Sequence, residues 1–482
     1  MKRILAVLLA AILIFAAAVP AFAADTANTA AAVEAEYPLV IVRGMQFRTQ
    51  YIDYGTDAQR PYLELSVKGI GSRLLKALKP GKGRFVERLA DQVQAFFDGI
   101  VFNPDGSSKN NVSLDTYPGS FANYIDTVDW EPYNEQALVM AACARYGAEN
   151  VYYFTYDWRL DPYEVAAQIN DTVNTALADH NTEKVNLICG SMGGIMTNAY
   201  LYRYGSDKIN SLVYNSSTVC GTYVTTELLQ GKAVANEKAL SYLVENLSDK
   251  KLVRNFLSVF LVKSGLVRIA CKLLNRFINK NRDLIYERTF RPTYGTVPSI
   301  WALVQPDELE TCIDYMFPTE ELKAENHVVI EKARRMAEIN RGTADMLRQA
   351  QANGCKISLV AGYNHACVPF YESAATQSDG VLESALMLGR ATVAEVGDTL
   401  GDGYVAADPS KVSPDNMIDL SGALFPENTW AFKNSGHVTA REGSDLTNFA
   451  FALIESKVQP TVTNMGVAQF QNVDKNYNFI PY

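Results

Sequence analysis

The sequence predicts an α/β protein, with a mostly parallel sheet covered by helices on both faces. Three observations carry this. Short, continuous apolar runs rich in β-branched residues stand at 37–42, 150–155, 185–189, 209–214, 356–361 and 429–432, as expected of strands buried on both sides. Between several of them lie segments with helical spacing, such as Val165, Ile169, Val173 and Leu177, so strands alternate with helices. The chain has 482 residues, 48% hydrophobic and 20% charged, enough for a large core.

Taken in order, the N-terminus reads as a processing segment. Lys2 and Arg3 precede an apolar run at 4–19, Pro20 breaks it, and Ala21-Phe22-Ala23 has the small-x-small pattern of signal-peptide cleavage. The run is shorter than the ~20 residues a spanning helix needs. Export with cleavage after Ala23 is therefore expected, making 1–23 a signal peptide and 24–36 an Ala-rich leader. Strand 37–42 ends at Arg43-Gly44-Met45. Phe85, Leu89, Val93 and Phe97 mark a helix over 84–98, whereas 103–125, rich in Asn, Asp, Ser, Gly and Pro, reads as loop. A helix at 135–145 and the strand at 150–155 follow. Asp161-Pro162-Tyr163-Glu164 opens the next helix, with Asp161 as cap, Pro162 at the first helical position and Glu164 reaching back to the cap.

The alternation stops after the strand at 209–214. Residues 221–350 carry helical patterns and few strand signals, so they read as a helical cap inserted between two parts of one core, 24–220 and 351–482. Strand 356–361 resumes the sheet, 429–432 reads as its last strand, and 445–456 as a closing helix.

A net charge of -9 without a basic arm argues against nucleic acid as a partner. The seven cysteines are scattered and not at metal-binding spacings, so neither a disulfide framework nor a metal site is expected, although a Cys355–Cys367 pair stays open. No organic cofactor is implied.

The richest stretch is 185–194: an apolar strand, then Cys189-Gly190-Ser191-Met192-Gly193-Gly194. One serine at the tip of a Gly-flanked strand-to-helix turn is the context that lifts a hydroxyl above a sheet, with Cys189 in place of the usual first glycine. A serine needs a base, and the base needs an orienting acid. Of the four histidines, His437 lies just past strand 429–432, at a strand end where ligand chemistry gathers. His180 and His327 sit in polar or charged segments, and His365, after strand 356–361, would precede the acid in chain order. The acid is read as Asp379, in Gln377-Ser378-Asp379-Gly380, with Asp402, in Gly401-Asp402-Gly403, as the alternative. The Met192 and Met45 amides are the candidate oxyanion donors.

Beyond these residues, Tyr156-Asp157-Trp158-Arg159-Leu160 resembles a motif of the lecithin:cholesterol acyltransferase-like α/β-hydrolases, and Ser191-Met192-Gly193-Gly194 resembles the elbow of that family and of bacterial lipases. The Asp379-Gly380-Val381-Leu382 segment, with Ser384 and Leu388-Gly389, resembles the acid segment of bacterial lipases. Gly401-Asp402-Gly403-Tyr404-Val405 resembles that of the acyltransferases. The resemblance covers about 37–217 and 355–457, departs at Cys189 and at Arg43, where a histidine often stands, and matches nothing in the cap. It implies an α/β-hydrolase fold and attack on a carboxyl ester, in a lipid or other substrate, through an acyl-enzyme, ending in hydrolysis or in acyl transfer to an alcohol. The Trp158–Arg159 pair reads as a packing and salt-bridge unit. A non-catalytic lipid- or glycan-binding protein is the remaining alternative.

Residues 250–282 contain no acid. Lys250, Lys251, Arg254, Lys263, Arg268, Lys272, Arg276, Lys280 and Arg282 interleave with Leu252, Phe256, Val259, Phe260, Leu266, Ile269, Leu273 and Phe277. Such a stretch reads first as a cap helix packing its apolar face inward. It also suits an anionic lipid surface.

Overall fold

In the computed structural model, residues 36–64, 66–79, 83–130, 135–247, 251–437 and 440–482 are described. The expected signal peptide, most of the leader and Lys250 lie outside these residues, as do the side chains of Lys251 and Leu252.

Eight strands form the central sheet: β1 (Leu39–Val42), β2 (Val151–Phe154), β3 (Val185–Ser191), β4 (Ile209–Ser217), β5 (Lys356–Tyr363), β6 (Thr429–Lys433), β7 (Phe470–Val473) and β8 (Phe479–Ile480). Their order across the sheet is β8-β7-β6-β5-β4-β3-β1-β2. All neighbours run parallel except β7 and β8. The 429–432 strand is thus not the last. Lys433 and Ala431 pair onward to Asn472 and Phe470, in a strand whose Gln471 and Asn472 break the apolar run that marks the interior strands.

Alternation along β1 assigns the two faces. Val40 and Val42 join one buried cluster, Leu39 and Ile41 the other. The helices that cover these faces, or extend beyond them, are α1 (Gln136–Tyr146), α2 (Pro162–His180), α3 (Gly193–Tyr204), α4 (Glu237–Glu245), α5 (Leu266–Ile285), α6 (His327–Ala352) and α7 (Asp445–Glu455). The faces of α2, α3 and α6 enter the Val40 cluster, and those of α1 and α7 enter the Leu39 cluster.

Asp161 caps α2 by accepting from the Tyr163 amide at 3.0 Å, but Glu164 pairs with Lys332 at 2.7 Å instead of reaching back. Within 103–125 a short strand, Val112–Leu114, pairs with Gln50–Ile52, a partner 60 residues away that local composition does not announce.

Between β4 and β5 the described residues are mostly helical, but they do not form one cap. Helix α6 packs against α3 and β5, burying Val329, Ile330, Met336, Ile339 and Leu347. It is a layer of the sheet domain, although its composition, rich in charge, matches the segments before it. Cys355 and Cys367 are both free, as are the other five cysteines, and all seven are buried.

Candidate active site

Strand β3 ends at Ser191, and α3 starts two residues later. Ser191 has φ 51, in the left-handed region that a residue with a Cβ rarely adopts. The chain can turn this sharply because its neighbours are small. A Cβ on Gly193 would stand 2.6 Å from the Val42 carbonyl oxygen, and one on Gly194 2.3 Å from that of Thr218. Cys189 is fully buried with its thiol toward the Val213 carbonyl, so a thiol fits where the motif usually has glycine. Burial pushes that thiol up to about 12, leaving it protonated.

The Ser191 carbonyl is fixed by the Thr218 amide at 2.9 Å and the Ser217 and Thr218 hydroxyls at 2.9 and 3.0 Å. The loop after β1 touches the serine: a Cβ on Gly44 would stand 2.5 Å from the Ser191 Cβ and 3.1 Å from its Oγ. Met45 follows in that loop. Met192 is the cap residue of α3, at the helix end whose first amides lack intrahelical acceptors.

His437 lies four residues past β6. Its loop folds back over β5 at Gly362, where a Cβ would stand 2.0 Å from the Ser435 carbonyl oxygen. The His437 Nε2 is 2.9 Å from Ser191 Oγ, and its Nδ1 is 2.7 Å from Asp379 Oδ2. A carboxylate can only accept, so Nδ1 carries the proton and Nε2 accepts from the serine hydroxyl. The other carboxylate oxygen of Asp379 accepts from the Val381 and Leu382 amides at 3.0 and 2.8 Å. Burial pushes the His437 imidazole down, but the adjacent Asp379 carboxylate outweighs it and Glu135 adds to it, so the net shift is upward from 6.5.

Asp402, the alternative acid, stands exposed in the turn before Tyr404, whose amide donates to the Gly401 carbonyl. The remaining histidines are elsewhere. His180 has Nε2 3.1 Å from the Glu149 carbonyl, and His327 has Nδ1 3.0 Å from that of Ala324. His365 sits on the short hairpin leading to Asp379, paired with Ser378. Arg159 pairs with Asp157 at 2.6 Å, donates to the Gly99 carbonyl and lies over the Phe102 ring, while Trp158 donates to the Tyr62 hydroxyl. This is a packing unit holding the loop 99–108.

Three neighbours of the site carry no role that the sequence assigns. Arg43 is buried at the end of β1 and donates to Thr49 Oγ1 at 2.8 Å and the Tyr156 carbonyl at 2.6 Å, tying down the Gly44–Met45 loop. Glu135 accepts from Gln46 Nε2 in that loop and from the Tyr153 hydroxyl. Glu383 is fully buried four residues after Asp379 and accepts from the Val224 amide and the Tyr371 hydroxyl. Burial raises it to about 7. In the sequence Glu383 stands out as the one charged residue in the run Val381–Leu388, and Arg43 as the charge that ends the apolar run of β1.

No protein-family model and no curated protein matches this chain. Among solved structures, a chain of "The crystal structure of Tle4-Tli4 complex" aligns with 87% of this chain and 96% of its own, at 11% identity and a TM-score of 0.30.

Proposed function

We propose that this protein is a serine hydrolase of carboxyl esters on an α/β-hydrolase fold, related to the lecithin:cholesterol acyltransferase-like and lipase families. The observation that carries the reading is the continuous hydrogen-bonded line from Ser191 Oγ through the His437 ring to Asp379, set on a turn that holds Ser191 in a left-handed conformation.

In this mechanism His437 Nε2 takes the Ser191 proton as Oγ attacks the ester carbonyl. Asp379 holds the imidazolium that forms. The Met192 and Met45 amides receive the oxyanion. Collapse expels the alcohol, which takes the proton from His437. Water, deprotonated in turn by His437, attacks the acyl-Ser191 carbonyl; the acyl–Oγ bond breaks, Ser191 Oγ takes the proton back from His437, and the carboxylic acid leaves. No step calls for a metal or an organic cofactor. The 1–23 segment is read as an export signal, which makes the mature chain start at Ala24, a start that intact-mass measurement of the exported protein checks.

A fluorophosphonate probe tests the chemistry. Labelling of the native chain and loss of labelling in Ser191→Ala is the expected result. Labelling that persists in Ser191→Ala removes Ser191 as the nucleophile. Turnover of p-nitrophenyl esters with and without added alcohol then separates hydrolysis from acyl transfer, since the same three side chains serve both.

A further inference from the structure

Helix α5 carries two apolar lines. Val267, Cys271 and Leu274 point inward and are buried, whereas Leu266, Ile269 and Leu273 point outward and are exposed. The segment before it adds to the outer line. Phe256, Val259 and Phe260 are 57–58% exposed, and the two phenylalanine rings stack with centroids 5.0 Å apart. Gly265, with φ 80, makes the turn between the two pieces. The reading of 250–282 as a cap helix packing an apolar face inward holds for Val267, Cys271 and Leu274, but it leaves the second apolar line uncovered.

The charges carried by the segment 254–280 itself have one sign, and the acids that flank it, Glu237 and Glu245 on α4, are bonded to Arg268 and to the Ser258 hydroxyl. Arg254, Lys263, Arg268, Lys272, Arg276 and Lys280 are all exposed, and among the described residues only Arg268 has a carboxylate partner, Glu237. This stands in a chain of net charge -9. We propose that the segment 254–280 is a peripheral docking surface for anionic lipid. A bilayer surface accepts exposed aromatic and aliphatic side chains at its acyl boundary while its headgroups meet the surrounding cations. That complementarity of apolar line and cationic surround is what favours lipid over a neutral partner.

The surface is anchored to neighbouring segments of the chain. Phe277 meets Phe85 at 6.4 Å between centroids, and Asn275 exchanges hydrogen bonds with the Ala235 backbone. Helix α4 packs on α5, and its Tyr242 donates to Asn364, next to the hairpin that leads to Asp379. The inference concerns binding and holds whether or not Ser191 is a nucleophile.

The test uses the full chain carrying Ser191→Ala, so that no lipid is consumed, and sucrose-loaded vesicles of phosphatidylcholine alone or mixed in equal parts with phosphatidylglycerol. Co-sedimentation is expected with the mixed vesicles and not with the neutral ones. Reversing three cations (Lys263→Glu, Lys272→Glu, Arg276→Glu) is expected to weaken binding about a hundredfold or more. The pair Phe256→Ser and Phe260→Ser tests the apolar half separately, and circular dichroism of both variants checks the fold. All chains share one N-terminus, so differences report on this surface. Equal sedimentation of parent and variants overturns the proposal, as does absence of binding to mixed vesicles. A concentration-dependent dimer that Phe256→Ser with Phe260→Ser abolishes, without lipid binding, overturns it in favour of a second copy of this chain.

Discussion

Two turns bearing aspartate precede His437, and they differ in everything except their residues. Both read Asp-Gly. Asp379 follows a short hairpin that returns it to the sheet rim, where it is buried, held by two amides and faced with the His437 ring. Asp402 follows no such return and stands in solvent. The difference is made by the strand pairing of His365 with Ser378, not by the turn itself. A third carboxyl extends the lesson. Glu383 is as buried as Asp379 but faces an amide and a phenol in place of an imidazole, so burial pushes it toward its neutral form.

The largest effect that separates the two turns is on turnover. Asp379→Asn is expected to lower kcat about ten-thousandfold, while Asp402→Asn leaves steady-state ester hydrolysis unchanged. Equal losses in the two variants would break the contrast. Close behind is the turn that presents the serine. Gly194→Val places side-chain carbon against the Thr218 carbonyl and is expected to cost about 1–3 kcal/mol in a denaturant melt, with activity falling in step.

A third measurement reads the field of Asp379 directly. The rate with native protein is expected to fall as pH drops through the His437 pKa, which lies above 6.5, because only the neutral ring accepts the Ser191 proton. In Asp379→Asn burial acts against the weaker field of Glu135 alone, so the ring titrates at lower pH. Proton NMR of a chain with only four histidines follows this, and an unshifted His437 titration would sever the ring from the acid.

The smallest effect concerns Glu383. Its folded pKa is raised from 4.5 to about 7, so the folded state binds more protons than the unfolded state between these values. Stability must then fall as pH rises through that window and level off above it. Glu383→Gln is expected to flatten this slope in thermal melts recorded across the window. A slope that survives the substitution assigns it to other groups.

Much of this arrangement was legible locally. The strands of the parallel core announce themselves because both faces are buried and the runs are unbroken. The Ser191 turn does so because only glycine fits beside a carbonyl at 2.3–2.7 Å. His437 was reachable from its place after a strand. What stayed hidden depends on partners far along the chain. Whether Asp379 or Asp402 meets the ring is decided by a hairpin of two-residue strands, too short to leave a pattern. Helix α6 looks like cap in composition, yet it lies on the sheet. The two lines of α5 are both apolar, and only the packing of Val267, Cys271 and Leu274 tells inner from outer.

The left-handed backbone at Ser191 has an energetic corollary. Glycine tolerates that conformation at no steric cost, whereas serine is strained there by about 1 kcal/mol or more. A chain with no use for the hydroxyl would therefore be tougher with glycine at 191, and Ser191→Gly should melt at a higher temperature than the native protein while losing the hydroxyl of the proposed nucleophile. Robustness and reactivity are set against each other at a single α-carbon.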